Sequence, residues 1–277
     1  MILFPTAKIN LGLRVLGKRP DGYHELTTVM MPVGWCDVLE IVPSRTGDTV
    51  LHTSGRPVCC PPEKNLVMKA YRALADDLGG LPPVEIYLEK IIPDGAGLGG
   101  GSADASYTLR ALNSLFGLDI DDSRLRRVAA RVGADCPFFV TDTAALCTGT
   151  GTDIAAEVNL DLSPYTLVIA KPAGVSVSTA EAYSGVQLSP GAADPTEVLR
   201  LDISRWPEAL VNDFEPSVFA RYPAIAAVKK HMYKGGARYA SMSGSGAAVY
   251  GIFDDQRLAS AAYASLQGCD KWISGDK

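Results

Sequence analysis

The chain has 277 residues, of which 47% are hydrophobic and 21% charged, and its formal net charge is −5 at pH 7. This composition is typical of a folded globular protein of two modest domains or one large one. The negative charge argues against nucleic-acid binding, which needs a basic surface, and no apolar run reaches the roughly 18 residues of a membrane span. Because the start shows no secretory signal and the six cysteines form no C-x-x-C pair, we expect a cytoplasmic protein.

The first predicted strand covers residues 2–16, where apolar and polar side chains alternate. Lys8 and Asn10 project from its polar face, about 7 Å apart along the strand. Taken alone, the pattern is that of an amphipathic strand with a solvated polar side. The apolar face carries Ile9, Leu11, Leu13 and Val15.

A turn is predicted at 19–22, because Pro20 presets the backbone for a turn and Gly22 tolerates a positive φ. Tyr23 and His24 follow directly and lead into a second strand. A lone histidine is more often structural or solvated than functional. Only its place after a rigid turn marks His24 as a candidate.

Farther on, an apolar stripe predicts a helix that begins after Asn65, a plausible N-cap residue. The stripe consists of Val67, Tyr71, Leu74 and Leu78.

A glycine-rich stretch lies between a predicted strand at 84–90, which ends at Lys90, and a predicted helix whose stripe begins at Ala105. Five of the seven residues 95–101 are glycine. Such a turn leaves backbone N–H groups unpaired, has no Cβ to keep a ligand away, and adds the positive end of a helix. This combination indicates an anion site, with phosphate as the expected anion. The alternative is a tightly packed turn without a ligand.

Known nucleotide motifs do not fit this loop. Gly95-x-Gly97-x-x-Gly100 satisfies the dinucleotide fingerprint in letters, but helical spacing follows it where a second strand is needed. A P-loop requires Lys and Ser or Thr after the last glycine, whereas Gly101 is followed by Ser102 and Ala103. The protein-kinase motifs are also absent from the sequence. A third type of nucleotide loop is therefore indicated.

A second helix after the loop is predicted to end at Gly133, and Pro137 follows shortly after. Asp135 would then lie at a sharp junction between this helix and a strand at 138–140. An aspartate at such a place is often only a turn former.

The remaining chain mixes strands and helices, which predicts an α+β fold with mixed sheets packed by helices. Between two strand-like runs, Ser241–Ala247 is either a simple hairpin turn or a second wall of small residues against a ligand. The other expected elements are a hairpin beginning at 144–152, a strand at 165–170, a helix from Ser178 or Thr179 to Tyr183, one short helix within 186–200, and helices at 216–233 (broken at Pro223) and 256–266.

Taken together, these motifs resemble the GHMP kinase superfamily of small-molecule kinases. The resemblance covers most of the chain and rests on five segments, which are Ala7–Leu11, Arg19–His24, Gly97–Ser102, Gly133–Pro137 and Ser243–Ala247. It implies a two-domain fold with the active site between the domains, and it implies ATP and Mg²⁺ as cofactors. The implied units are a nucleotide-binding domain at 1–160 and an acceptor-pocket domain at 161–277. The Tyr23–His24 turn and the Lys8/Asn10 strand most resemble the member, used in isoprenoid precursor synthesis, whose acceptor is a methylerythritol carrying a cytidine diphosphate.

The resemblance also implies residue roles. Asp135 would be the catalytic base, with Lys8 beside it at the acceptor hydroxyl. Asn65 and Lys90 would lie around the adenine, and Ser102 would contact the metal. The acceptor would be held by Asn10, Tyr23, His24, Thr179 and Tyr183, and the phosphates by Pro93, Asp94, Gly95, Ala96, Gly97, Leu98, Gly99, Gly100, Gly101, Ser102 and Ala103.

Three positions depart from the family pattern. Ala103 and Asp104 stand where relatives often have Ser and Asn, and Tyr183 replaces the usual Phe. Three alternatives remain open at this point: another kinase of the superfamily whose acceptor alcohol lacks the nucleotide, a nucleotide-binding oxidoreductase, and a non-catalytic nucleotide sensor. The sequence does not indicate an oligomeric state.

Overall fold

The computed structural model of the chain describes residues 1–58 and 60–275. Its strands, in chain order, are β1 (Ile2–Leu3), β2 (Thr6–Lys18), β3 (His24–Cys36), β4 (Val38–Pro43), β5 (Val50–Gly55), β6 (Val84–Lys90), β7 (Ala145–Thr148), β8 (Asp153–Glu157), β9 (Thr166–Pro172), β10 (Tyr239–Met242), β11 (Val249–Phe253) and β12 (Cys269–Ile273). These described strands form three four-stranded sheets, in the orders β1-β4-β6-β5, β2-β3-β7-β8 and β10-β11-β9-β12. The pair β5–β6 is parallel and the other paired strands are antiparallel.

The helices pack on these sheets and confirm the predicted α+β fold. They are α1 (Leu66–Leu78), α2 (Gly100–Leu115), α3 (Asp122–Ala130), α4 (Phe138–Thr141), α5 (Thr179–Ser184), α6 (Pro195–Leu199), α7 (Trp206–Ala209), α8 (Glu215–Arg221), α9 (Pro223–Lys234) and α10 (Gln256–Ser265), with single 3₁₀ turns at Pro62–Lys64 and Ile203–Arg205. Within the described part of the chain, none of the helices combines the length and the apolar character that crossing a membrane would take.

Local signals in the sequence locate several element boundaries correctly. The side chain of Asn65 accepts a hydrogen bond from Val67 N at 2.9 Å and caps α1. The turn before β3 closes through Arg19 N, which donates to Tyr23 O at 2.8 Å. The break between α8 and α9 lies at Tyr222, directly before Pro223, because a proline cannot continue a helix but can begin one.

The polar side of β2 is not solvated, contrary to the reading of that strand in isolation. Lys8 is only 3% exposed and Asn10 only 2%. The phosphate-loop candidate covers this face, because Lys8 N donates to Leu98 O at 2.9 Å. A register shift beside Gly12, whose φ is +66°, also interrupts the simple alternation.

The predicted strand at 138–140 is wrong, because these residues form α4. Pro137 adopts helical backbone angles (φ −55°, ψ −33°), and Phe139 N donates to Cys136 O at 3.1 Å. Phe138 and Phe139 then bury their rings together against Ala103. A short apolar run cannot be assigned to strand or helix from periodicity alone, and here tertiary packing selects the helix.

One hydrophobic core spans the position where the chain was predicted to divide. Ile9 and Leu11 of β2 belong to the same buried cluster as Ile169 of β9 and Tyr250 of β11. The division into units 1–160 and 161–277 stays a prediction, and residues 276 and 277 lie outside the described residues.

Candidate active site

A cleft of about 790 Å³ brings most of the candidate residues together. This volume lies within the usual range for small-molecule sites. The glycine-rich loop forms one wall, β2 and β3 form the floor, and the Gly244–Gly246 turn closes a side. The candidates that line it are Lys8, Asn10, Tyr23, His24, Pro93, Asp94, Gly95, Ala96, Gly97, Leu98, Gly99, Gly100, Gly101, Ser102, Asp135, Thr179 and Tyr183.

The glycine-rich loop has the backbone geometry of an anion site. Gly95, Gly97 and Gly99 adopt positive φ values of 59°, 71° and 71°, which residues with a Cβ rarely reach. The 16-residue helix α2 begins at Gly100, and Gly99 provides no side-chain cap. The first N–H groups of α2 therefore have neither a helical partner nor a capping side chain, and the residues that carry them, Gly100–Ser102, line the cleft.

Lys8 and Asp135 meet beside this loop, although they are 127 positions apart in the chain. Lys8 Nζ lies 3.5 Å from Asp135 Oδ2 and donates to Asn10 Oδ1 at 2.5 Å. The ammonium is buried, whereas the Asp135 carboxylate is partly exposed to the cleft. The loop packs closely against Lys8, because a Cβ added to Gly99 would lie 3.2 Å from Lys8 Cγ. A cation, a carboxylate and a row of free amides thus face one space.

A tight turn after α3 holds Asp135 in place. Cys136 N donates to Gly133 O at 3.2 Å, and Ser106 Oγ of α2 donates to Cys136 O at 2.6 Å. Because α2 also begins at the phosphate loop, one helix fixes the carboxylate and the amides relative to each other.

Aromatic side chains lie at the other end of the cleft. The rings of His24 and Tyr183 stack with their centroids 4.6 Å apart, and the edge of Phe214 meets Tyr183 at 4.8 Å. Tyr23 is 67% exposed at the rim. Burial, together with the charge of Asp135, raises the pKa of the Tyr183 hydroxyl. This end can hold a flat ring next to Lys8 and Asp135.

Thr179 has its side chain available at the cleft. The sequence left the cap of α5 open between Ser178 and Thr179, and the structure assigns it to Ser178, whose Oγ accepts from Glu181 N at 3.2 Å. Thr179 is the first residue of the helix and lines the cleft.

Three candidates lie behind the cleft surface. Asn65 is engaged as the cap of α1, and Ala103 is buried under the loop. Lys90 Nζ donates to Asp104 Oδ2 at 2.7 Å and also pairs with Asp37. The roles of Asn65 and Lys90 around the adenine stay predictions.

Lys90, Asp37 and Asp104 form a buried cluster that is bonded to the backbone just before the glycine-rich loop. Asp37 Oδ1 accepts from Ile91 N and Ile92 N, at 2.5 and 2.8 Å, just before the loop begins. Burial is the largest influence on Asp104 and raises its pKa to about 8, although Lys90 opposes the shift. Burial disfavours the charge on Lys90, but the two carboxylates outweigh it, so the pKa of Lys90 is raised.

The sequence allowed the Ser241–Ala247 segment to be a hairpin turn or a wall of small residues beside a ligand, and the structure shows features of both. The segment connects β10 to β11, and Gly244, Ser245 and Gly246 line the cleft as a wall of small residues. The glycines of this segment are the feature by which the sequence indicated a place at the cleft. Other lining residues gave no signal because they look like ordinary core or turn residues, and they are Leu13, Leu26, Thr28, Met30, Leu66, Thr150, Val177 and Phe214.

Among residues 1–58 and 60–275 no group of three or more His, Cys, Asp or Glu side chains is arranged to hold a metal ion. The oxygen donors at the phosphate end of the cleft include the Ser102 hydroxyl and the Asp135 carboxylate. This sparse set fits Mg²⁺, which usually binds through one or two protein oxygens and the substrate's phosphates.

Two family models match the chain. One, described as GHMP kinases N terminal domain, matches residues 65–143, and the other, described as GHMP kinases C terminal, matches residues 196–270. The matches and the cleft define a small-molecule kinase of the GHMP class.

Similar proteins show which family within the GHMP kinases the chain resembles. A 4-diphosphocytidyl-2-C-methyl-D-erythritol kinase of Parabacteroides distasonis is 50% identical over 254 residues, which is 92% of each chain. One of Porphyromonas gingivalis is 42% identical over 275 residues and 99% of each chain. A crystal structure of 4-(cytidine 5'-diphospho)-2C-methyl-D-erythritol kinase superimposes with a TM-score of 0.81 at 32% identity, over 99% of this chain and 98% of that one. The chain belongs to this kinase family within the GHMP kinases.

Proposed function

We propose that the chain transfers the γ-phosphoryl group of ATP to the 2-hydroxyl of 4-diphosphocytidyl-2-C-methyl-D-erythritol, a step of the non-mevalonate isoprenoid precursor route. The observation that carries the proposal is the convergence of Lys8 and Asp135, 3.5 Å apart, on the mouth of the 95–102 loop. The named relatives supply the identity of the acceptor. The cytoplasmic location expected from the sequence is kept as part of the proposal.

The loop binds the donor in this account. The amides of residues 95–102 hold the β- and γ-phosphates at the positive end of α2. The groups that would hold Mg²⁺ are those phosphates and the Ser102 hydroxyl. The ion supplies neutralisation of the negative charge on the phosphates.

Lys8 and Asp135 act on the acceptor hydroxyl. Phosphoryl transfer depends mainly on positioning and on charge stabilisation, because its transition state is loose. A carboxylate is a weak base for an alcohol, so Asp135 accepts the hydroxyl proton late, as the new O–P bond forms. Lys8 keeps Asp135 ionised and stabilises the negative charge that builds up on the transferred group.

The aromatic end selects the acceptor. Tyr23 and Tyr183 enclose the cytosine, His24 hydrogen-bonds its edge, and Asn10 and Thr179 contact the rest of the molecule. The His24 and Tyr183 rings stack on each other, so His24 must move before a base can stack on that face of Tyr183. Side-chain rearrangements of this kind are common on binding.

A coupled ADP-release assay tests the function. With Mg²⁺ and ATP, we expect turnover with the cytidine-diphospho acceptor and almost none with methylerythritol 4-phosphate, which lacks the cytidine part. Equal turnover of the two would favour a GHMP kinase that does not read a nucleotide. Absence of turnover with either would overturn the proposal.

A further inference from the structure

The segment 211–214, between α7 and α8, joins three parts of the cleft. Its backbone pairs with β2, since Leu13 N donates to Val211 O and Asp213 N donates to Leu13 O, both at 2.9 Å. Leu13 directly follows the irregular Gly12. The segment is thereby tied to the strand that carries the catalytic lysine.

Asn212 extends this connection with its side chain. It is 3% exposed, and its Nδ2 donates to Met242 O and to Gly244 O, both at 2.8 Å. Its Oδ1 accepts from Phe214 N at 3.0 Å. Both amide hydrogens and the amide oxygen are therefore used, which is the pattern of a buried group whose identity is demanded by its surroundings.

The turn that Asn212 holds is bonded directly to the phosphate loop. Ser243 Oγ donates to Gly97 O at 2.9 Å, and Ala247 N donates to Gly95 O at 3.1 Å. The contact is so close that a Cβ on Gly97 would overlap the carbonyl oxygen of Ser243. Because of these contacts, a shift of this turn would also move the 95–102 loop.

Phe214, at the end of the segment, reaches the acceptor side. Its ring meets Tyr183 edge-on and lines the cleft. A single stretch of four residues therefore contacts the lysine strand, the wall of the phosphate loop and the acceptor aromatics.

We propose that Asn212 is a positioning residue, which holds the phosphate loop in register with Lys8 and Asp135 without contacting either substrate. This inference rests on the proposed function. A displacement of about 1 Å between reacting groups can reduce a rate about 100-fold. A carboxamide suits the position because one nitrogen must donate to two carbonyl groups at once. A carboxylate at this place would repel both carbonyl oxygens, and an apolar side chain would leave them unpaired.

The test compares Asn212→Asp and Asn212→Leu with Tyr239→Phe. Tyr239 is buried beside the same segment, and its hydroxyl donates to Leu210 O at 2.5 Å, but it has no hydrogen bond to the Gly244 turn. Tyr239→Phe thus removes a buried hydrogen bond of the same neighbourhood and serves as the control for lost stability. For each variant kcat, both KM values and the melting temperature are measured.

We expect the Asn212 variants to lower kcat at least about tenfold, with much smaller changes in the acceptor KM, while Tyr239→Phe keeps a near-normal kcat. A near-normal kcat in the Asn212 variants, or an equal kcat loss in Tyr239→Phe at the same loss of melting temperature, would overturn the inference. If the Asn212 variants do not fold, Ser243→Ala is measured instead, because it removes the hydrogen bond from the Ser243 hydroxyl to Gly97 O that joins the turn to the loop. A normal kcat there overturns the inference, and a lowered kcat at unchanged acceptor KM supports it. An inactive wild-type protein would instead refute the proposed function.

Discussion

At the scale of single residues, the active site depends on polar groups that are buried with few partners. Lys8 has its ammonium between Asn10 and Asp135, and Lys90 has its ammonium between Asp37 and Asp104. The first group faces the cleft and the second lies behind it. Because the second group is buried among its partners, it is expected to influence stability.

Asp104 makes that influence measurable through pH. Burial raises its folded-state pKa to about 8, so between about pH 4 and pH 8 the folded protein keeps a proton that the unfolded chain releases. The contribution of Asp104 to the free energy of unfolding therefore falls as pH rises through this window. The pKa of Lys90 is raised above its ordinary value and changes nothing below about pH 10.

We therefore expect Asp104→Asn to gain melting temperature relative to the wild type as pH is raised from 5 to 8. The control is Asp254→Asn, because Asp254 is exposed and pairs only loosely with Arg238 at 3.6 Å. Thermal melts of the three proteins at both pH values supply the comparison. A difference between Asp104→Asn and wild type that stays constant with pH would contradict the explanation.

His24 is expected to serve the acceptor and not ATP. His24→Ala should raise the KM of the cytidine-diphospho acceptor about tenfold, the loss of roughly one hydrogen bond, and leave the KM of ATP nearly unchanged. His52→Ala is a matched control, since His52 also stacks on a tyrosine, Tyr87, at 4.7 Å but outside the cleft. Equal increases in both KM values for His24→Ala would refute the assignment.

At the scale of elements, the shape of the glycine-rich loop depends on close contact between its backbone and the backbone of the Gly244 turn. Gly97 shows this most clearly, with φ at +71° and the carbonyl group of Ser243 in the place of a Cβ. We expect Gly97→Ala to weaken ATP binding strongly, because either the loop or the Gly244 turn must move. Titration with a non-hydrolysable ATP analogue measures the effect.

Gly117→Ala is the control for backbone strain alone. Gly117 also has a positive φ, +56°, but an added Cβ would meet no atom within 4 Å. The Gly117→Ala variant should lose some stability and keep the nucleotide affinity of the wild type. Equal loss of affinity in the two variants would show that close approach at Gly97 is unimportant.

Elements with strong local signals were predictable from the sequence, and those decided by distant contacts were not. The cap at Asn65 and the turn before His24 depend on neighbouring residues, so their positions follow from the sequence. The helix at Phe138–Thr141 depends on burial against α2, which no local pattern reports. Asn212 was missed for the same reason, because an asparagine between helices looks like a turn residue until its partners 30 and 32 positions away are known.

At the scale of the whole molecule, the fold brings together segments that the chain keeps far apart. β2 supplies Lys8, the turn after α3 supplies Asp135, and the start of α2 supplies the amides. The motifs that resemble the GHMP kinases indicated which segments would meet. The contacts that set their spacing, such as Lys8 N with Leu98 O, required the structure.

The central claim is that Asp135 accepts the proton of the hydroxyl that Lys8 and the loop present for phosphorylation. Single-turnover assays of Asp135→Asn, with ATP binding measured separately on the same sample, test it most directly. We predict that phosphoryl transfer to the cytidine-diphospho acceptor falls by about 10²–10⁴-fold while ATP binds as tightly as it does to the wild type. Transfer at a near-normal rate in Asp135→Asn, with the variant folded and ATP bound, would contradict the account.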